Sequence, residues 1–207
     1  MLGVYNYTVI LTYIGMLMGF TGIAGAMGGH LHTALLCLMM AGFCDMFDGK
    51  VASTKTDRTP QEKRFGIQID SLSDLICFGI LPAVTVFSTA RNSVLTFAVA
   101  GLFALCALVR LAWFNVDEEE RQNSCDDPRE FYLGLPVTTA ALFLPTVLGL
   151  GEIYGWNLQL AGTIVLAAMG VAFLTPFQLK KPQTPGKIGM ILCGCCELLI
   201  LLVGVKS

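Results

Sequence analysis

Charge is the scarcest property of this sequence. Charged side chains make up 14% of the 207 residues and hydrophobic side chains make up 55%, whereas an ordinary soluble domain has about 25% charged residues. The mean hydropathy is +0.69. Several apolar runs reach about 20 residues, which is long enough for a helix to cross a bilayer. The shortage of charge therefore excludes a soluble globular domain and predicts an integral membrane protein.

Positive charge is scarce as well. The formal net charge is −2, and nucleic-acid-binding proteins normally present a basic surface, so we expect no nucleic acid as a partner. The N-terminus lacks the basic residues of a secretory signal, and its apolar stretch is too long for a signal core. We therefore expect a retained first membrane helix.

Zinc-ligand patterns are missing too. The eight cysteines lie mostly in apolar runs, and the two histidines, His30 and His32, are not near them in a metal-binding spacing. We expect the cysteines to pack as small hydrophobic side chains, and neither histidine to be a ligand.

Seven apolar runs predict membrane-spanning helices, and the expected fold class is an all-α, polytopic membrane helix bundle. The runs are 7–27, 32–48, 67–89, 93–114, 134–151, 157–176 and 188–205. The second run leads directly into polar sequence, so its helix should continue beyond the bilayer. The last run contains Glu197, which is costly within a bilayer.

The basic residues predict the orientation, because loops rich in Lys and Arg stay on the cytoplasmic side. With the N-terminus inside, two of the 13 basic residues, Arg91 and Lys206, fall on the outer side and the rest on the cytoplasmic side. Segments 49–65 and 115–133 are then the long cytoplasmic loops. The acidic run Asp117 to Glu120 should be a solvated loop or helix cap, since consecutive helical positions point in different directions.

Small residues form a stripe in the first span. Gly15 and Gly19 make a GxxxG pair that Gly22 and Gly25 continue, and such stripes let helix backbones approach closely. The stripe is compatible with packing inside one chain or with a dimer contact.

Two pairs of carboxylates are the main functional signal. Asp45 and Asp48 are three residues apart at the end of the second span, and Asp70 and Asp74 are four apart in the third. Spacings of three and four place both side chains on one helix face, so pairs on neighbouring antiparallel helices would face each other. Four clustered carboxylates repel one another unless cations compensate, and oxygen ligands favour Mg²⁺ or Mn²⁺. One or two such ions would imply a phosphate-bearing substrate.

The aspartates allow two other interpretations. They could be helix-end residues solvated by headgroup water, or they could mark a cation or proton pathway in a transporter. The first does not account for two matched pairs that flank a basic loop. A pathway would need polar groups at mid-membrane, where this chain offers few.

Two glycines accompany the aspartates. Gly49 directly follows Asp48, and Gly66 is expected to open the third helix, so the backbone could approach a ligand at both places. A helix N-terminus near Gly66 would also direct N–H groups toward a phosphate.

These residues resemble a known family. The run D-x-x-D-G-x-x-A followed by G-x-x-x-D-x-x-x-D is similar to the signature of the CDP-alcohol phosphatidyltransferases. The matching positions here are Asp45, Asp48, Gly49, Ala52, Gly66, Asp70 and Asp74. The resemblance implies a membrane domain at 1–178 with the six-helix core of the family, an extension at 179–207 with an additional span, and a homodimer.

The resemblance also implies roles for individual residues. Asp45, Asp48 and Asp70 would hold two divalent ions. Asp74 would contribute to the second ion and act as the general base that takes the proton of the acceptor hydroxyl. The residues that would lie near the CDP moiety are Asp45, Asp48, Gly49, Ala52, Gly66 and Thr12.

Two departures from the family pattern concern phosphate binding. The family usually has Arg after the motif alanine, where this chain has Ser53, and the loop before Gly66 has twelve residues instead of the usual eight. Because serine has no guanidinium, phosphate contact must weaken or come from Lys50, Lys55 or Arg58.

Later segments resemble the phosphatidylserine synthase branch of the family. They are the stretches 65–74, 78–79, 110–115 and 134–136. This implies transfer of the phosphatidyl group of CDP-diacylglycerol to the hydroxyl of L-serine, with CMP as the second product, at the cytoplasmic face of a bacterial inner membrane. Arg110 is the candidate partner for the serine carboxylate, or else a positive anchor at headgroup level. Glycerol phosphate and inositol phosphate remain alternative acceptors.

Overall fold

The described chain is a bundle of six helical rods. A computed structural model describes residues 3–90, 93–124 and 131–180, together with 194, 198 and 199. The helices are α1 (Ile10–Met27), α2 (Leu31–Ser53), α3 (Pro60–Asp74), a π-helical segment (Leu75–Ile80), α4 (Leu81–Thr89), α5 (Val94–Ser124), a 3-10 turn (Val137–Thr139), α6 (Ala140–Tyr154) and α7 (Leu158–Leu174). Since α3, the π segment and α4 are continuous, they count as one rod. The predicted all-α bundle is confirmed.

Within the described residues, four rods are long and apolar enough to cross a membrane. They are Ile10–Met27, Pro60–Thr89, Val94–Glu120 and Val137–Tyr154, and α7 is a shorter apolar helix. Large apolar side chains cover the outward faces, and on α5 they include Val94, Leu95, Phe97, Leu102 and Trp113. Extended apolar surface on helices that are long enough to span a bilayer indicates contact with lipid. The chain is therefore a multi-pass membrane protein.

The glycine stripe of α1 packs inside the chain. A Cβ on Gly19 would lie 2.6 Å from Cys77 Sγ, and one on Gly22 would lie 2.9 Å from Cys37 Cβ and from Leu81 Cδ2. At these positions α1 approaches both α2 and the rod that contains α3 and α4. Of the two interpretations of the stripe, the structure supports packing between helices of one chain.

A π-helical segment directly follows Asp74. Pro82 lies in the first turn of α4, where it has no N–H to donate and its ring would clash with the carbonyl of Phe78. The wider π turn lets the rod pass the proline without a break, and π segments are frequent at functional sites. The buried Gly79 lets α5 approach here, because an added Cβ would meet Ala107 Cβ at 3.2 Å.

A short pairing of strands joins two segments outside the helices. β1 (Phe131–Leu133) pairs antiparallel with β2 (Gln178–Lys180). Gly134 follows β1 with φ of +77°, and a Cβ there would lie 3.0 Å from the carbonyl oxygen of Thr175. Only glycine fits this turn without strain.

Several predicted boundaries differ from the observed helices. The prediction that Gly66 opens a helix is wrong, because α3 begins at Pro60. The acidic run Asp117 to Glu120 is helical rather than a loop, since α5 continues to Ser124. The predicted extension of the second helix into polar sequence is confirmed by α2, which ends at Ser53. Most of the predicted span 188–205, including Glu197, lies outside the described residues.

Candidate active site

The four signature aspartates meet between two helices. α2 carries Asp45 and Asp48, and the final turn of α3 carries Asp70 and Asp74, so each pair occupies one face of its helix. One carboxylate oxygen from each of Asp45, Asp70 and Asp74 lies within 4.8 Å of the others. All four aspartates line one small cavity between the helices. The two pairs therefore face each other as the spacing predicted.

The first helix completes this cluster. Thr12 Oγ1 donates a hydrogen bond of 3.1 Å to Asp48 Oδ2. The sequence reasoning missed two further links, in which Ser73 Oγ donates to the Thr12 carbonyl at 3.4 Å and Cys77 Sγ donates to the Gly15 carbonyl at 3.3 Å. Ser73 and Cys77 are four residues apart on the face of the third rod that meets α1, and this spacing was the available signal.

The aspartates surround a small cavity of about 10 Å³, which has room for about one water or ion. Its polar lining consists of the four carboxylates, the hydroxyl-bearing residues Thr12 and Ser73, and the thiol-bearing residues Cys44 and Cys77. A set of oxygen ligands without imidazole fits a hard divalent cation. The residues present thus fit Mg²⁺ or Mn²⁺.

A larger cavity of about 300 Å³ adjoins the first and shares three of its residues, Thr12, Asp48 and Asp70. The three predicted nucleotide-binding positions Gly49, Ala52 and Gly66 all line it. The other lining residues are Thr8, Val9, Arg58, Lys63 and Ile67.

Two cations line this cavity, and one of them, Arg58, is among the three that the sequence analysis names as possible phosphate contacts. Lys63 was missed, although it lies two helical turns before Asp70 and therefore on the same face of α3. The cavity combines carboxylates that can bind a metal with cations that can bind an anion.

The loop before α3 is held by hydrogen bonds. Thr59 and Glu62 form a capping box, in which Thr59 Oγ1 accepts from the Glu62 N–H at 3.2 Å and Glu62 Oε2 accepts from the Thr59 N–H at 2.8 Å. Glu62 Oε1 also accepts from Lys55 Nζ and from Asn6 Nδ2, each at 2.8 Å. The bond with Glu62 raises the pKa of Lys55 above its ordinary value. The long loop is therefore anchored at one edge of the larger cavity.

Arg110 lies outside both cavities. It is 7% exposed, and its Nε donates to the Leu135 carbonyl oxygen at 3.3 Å. It lies on the part of α5 that runs beside the rod containing Asp74. Before Arg110 on this helix, Ala107 faces Gly79. After it, Asn115 Oδ1 accepts a hydrogen bond of 2.9 Å from Ser71 Oγ.

The two histidines lie elsewhere. His30 precedes α2 and His32 lies in its first turn, at the opposite end of the helix from the aspartates. His32 Nε2 is 3.1 Å from a Glu152 carboxylate oxygen.

Comparison with known proteins gives a consistent family. A model described as CDP-alcohol phosphatidyltransferase matches residues 5–177. The archaetidylserine synthase of Methanothermobacter thermautotrophicus is 28% identical over 178 residues, which cover 86% of this chain and 70% of that protein.

Several relatives are named CDP-diacylglycerol–serine O-phosphatidyltransferase, among them proteins of a yeast and of an archaeon. That of Saccharomyces cerevisiae is 31% identical over 144 residues, which cover 64% of this chain and 51% of that protein. That of Methanocaldococcus jannaschii is 26% identical over 205 residues, which cover 99% and 89%. The chain thus spans about half the length of the yeast relative and most of the length of the M. jannaschii relative.

Proposed function

The chain belongs to the CDP-alcohol phosphatidyltransferase family, and we propose that it transfers the phosphatidyl group of CDP-diacylglycerol to the hydroxyl of L-serine, giving phosphatidylserine and CMP. The observation that carries this proposal is the joining of two cavities, one lined by four carboxylates and one by Arg58 and Lys63. Such a pair suits a metal ion beside a diphosphate. Serine as the acceptor is supported by the names of the relatives.

Asp45, Asp48, Asp70 and Asp74 would hold the divalent metal, Mg²⁺ or Mn²⁺, as one or two ions. When bound, the metal neutralises negative charge on the diphosphate and makes CMP a better leaving group. Thr12 fixes the orientation of the Asp48 carboxylate through its 3.1 Å hydrogen bond. A ligand held in this way is pre-organised for its ion.

Asp74 is the proposed general base. Its carboxylate takes the proton of the serine hydroxyl while the serine oxygen forms a bond to the phosphorus that carries the diacylglycerol. The bond from that phosphorus to the bridging oxygen breaks, and the electron pair leaves with CMP. A carboxylate is a weak base, so much of the acceleration would come from holding the hydroxyl in line with the breaking bond.

The position of the site suits one substrate from the bilayer and one from the cytoplasm. Gly49, Ala52 and Gly66 would lie against the CDP moiety, near Asp45 and Asp48, while the acyl chains remain in the bilayer. The distribution of basic residues supports a cytoplasmic N-terminus and a cytoplasmic site. We propose the inner membrane of a bacterium as the location. Nucleotide and serine are both available on that side. We also propose a homodimer, on the family relationship alone.

Arg110 is the proposed partner of the serine carboxylate. It is buried, and it lies on the segment of α5 that runs beside the rod containing Asp74. A guanidinium can hold a carboxylate with two parallel hydrogen bonds. This would place serine on the α5 side of Asp74, away from the cavity proposed for the nucleotide.

The acceptor assay tests the proposal. Protein purified in detergent is mixed with CDP-diacylglycerol and Mn²⁺, and CMP release is measured after addition of serine, glycerol phosphate or inositol phosphate. CMP released only with serine is expected. Release with glycerol phosphate alone would refute the serine assignment. If a folded protein released no CMP with any alcohol, the enzyme assignment would be wrong and a transporter would be favoured.

A further inference from the structure

The larger cavity is lined by side chains of both charges. Asp48 and Asp70 border it where it joins the aspartate cluster, and Arg58 and Lys63 are the cationic residues among its lining. Its volume of about 300 Å³ lies at the lower end of the range for small-molecule sites. A ligand with negative charge at the metal side would be attracted by both the metal and these cations.

The guanidinium of Arg58 is packed against α3. Arg58 Nη2 donates to the Glu62 carbonyl oxygen at 3.3 Å, and a Cβ added to Gly66 would lie 2.6 Å from the same nitrogen. The absence of a side chain at Gly66 therefore gives the guanidinium its place. This contact fixes Arg58 beside Gly66, one of the positions that the family motif places near the nucleotide.

One donor of Arg58 has no protein acceptor. Nε is buried and has no hydrogen-bond partner among the described residues. A buried donor without an acceptor is costly, and the planar guanidinium is suited to bind phosphate with two donors at once. The combination of a fixed guanidinium and an unused buried donor at the edge of a cavity points to an anionic ligand.

The other two candidate cations, Lys50 and Lys55, have neighbours outside the larger cavity. Lys50 Nζ lies 5.4 Å from the centre of the Phe47 ring, and Lys55 forms the 2.8 Å pair with Glu62. Ser53, at the position of the missing arginine, donates from Oγ to the Lys50 carbonyl at 2.7 Å. None of these three side chains lines the larger cavity. Of the three cations that the sequence offers for phosphate contact, Lys50, Lys55 and Arg58, only Arg58 lines this cavity.

We propose that Arg58 binds the diphosphate of the nucleotide substrate, and that the lengthened loop thereby replaces the arginine absent at Ser53. This assignment rests on the proposed function. The bonds from Glu62 to Lys55, Asn6 and Thr59 hold the loop, so they position Arg58 without touching the substrate.

The test measures CDP binding to the purified protein in detergent with Mn²⁺. Arg58→Gln should weaken CDP binding about ten- to a hundredfold, the usual effect of losing hydrogen bonds to a charged group. Competition by cytidine, which carries no phosphate, should change little. Ser53→Arg introduced into the Arg58→Gln protein should recover part of the CDP affinity. Arg64→Gln is the matched control, because Arg64 is exposed on α3 and does not line the cavity.

The outcomes separate the two levels of the proposal. If wild-type protein neither binds CDP nor releases CMP from CDP-diacylglycerol, the proposed function fails. If wild-type protein does both and Arg58→Gln binds CDP equally well, Arg58 has no role with the diphosphate. An equal loss for CDP and cytidine would assign Arg58 a purely structural role.

A second variant covers a failure of Arg58→Gln to fold. Arg58→Lys keeps the positive charge but loses the forked donors, so it should bind CDP several-fold more weakly and cytidine normally. Wild-type CDP affinity in this variant would overturn the assignment.

Discussion

Thr12 on α1 donates a hydrogen bond to Asp48 on α2, with 3.1 Å between Oγ1 and Oδ2. Thr12 is only 7% exposed. The bond ties the first helix to the carboxylate cluster and connects the two cavities, since both are lined by Thr12 and Asp48. A hydroxyl donated to a carboxylate favours its ionised form and leaves its other oxygen for a cation.

Thr12→Val should therefore weaken metal binding while keeping the shape of the side chain. Losing a hydrogen bond to a charged group costs about a factor of ten or more, so the Mn²⁺ concentration for half-maximal activity should rise about tenfold. Thr21→Val is the control, because Thr21 lies on the same helix and donates to its own helix carbonyl at Leu17. An unchanged Mn²⁺ requirement in Thr12→Val would show that this bond does not prepare the site.

Gly66→Ala should displace Arg58. The added Cβ would lie 2.6 Å from Arg58 Nη2, and atoms this close must move apart. We expect weaker CDP binding, about tenfold or more if the guanidinium leaves the diphosphate. Gly101→Ala is the control, because nothing lies within 4 Å of a Cβ there. If Gly66→Ala bound CDP normally, the contact with Arg58 would not matter for the nucleotide.

Asp74→Asn should remove the general base. Loss of such a group typically lowers the rate by about a hundredfold to ten-thousandfold, so kcat for CMP release should fall by at least a hundredfold. CDP binding should change little. Asp70→Asn should raise the Mn²⁺ requirement but keep the base, so at saturating Mn²⁺ its kcat should fall less than that of Asp74→Asn. Asp57→Asn, in the loop before α3, should have no effect. An active Asp74→Asn protein would remove Asp74 from the role of base.

The aspartate cluster was predictable because a helix fixes its geometry. Once Asp45 and Asp48 were assigned to one helix and Asp70 and Asp74 to another, the period of 3.6 residues placed each pair on one face. Thr12 could be suggested only through the family resemblance, since its contact with Asp48 joins residues that no local pattern relates.

The loop and the helix ends were harder to predict. A helix start is encoded by the capping box of Thr59 and Glu62 and by Pro60 at the first helical position. The apolar pattern begins later, and for this reason Gly66 was the expected first residue. The part of α5 beyond Asn115 was also hard to predict, because its sequence has no apolar residues at helical spacing. The place of Arg58 depends on contacts made by an irregular loop, and no repeating pattern encodes them.

Gly19→Ala should destabilise the bundle. Its Cβ would lie 2.6 Å from Cys77 Sγ and 3.4 Å from Cys77 Cα, and overpacking of this kind typically costs about 1–3 kcal/mol. Thermal unfolding in detergent should occur at a lower temperature, whereas Gly101→Ala should match or slightly exceed wild type. If Gly19→Ala unfolded like wild type but changed the oligomeric state, the stripe would belong to a dimer contact instead.

Arg110→Lys should weaken serine binding specifically. Lysine keeps the charge but cannot hold a carboxylate with two parallel bonds, so the KM for serine should rise about tenfold, with an unchanged KM for CDP-diacylglycerol. Ethanolamine lacks the carboxylate, so any preference of the wild type for serine over ethanolamine should decrease in the variant. If Arg110 only anchors α5 through the Leu135 carbonyl, both KM values and the unfolding temperature should change together. That pattern would place the serine carboxylate elsewhere.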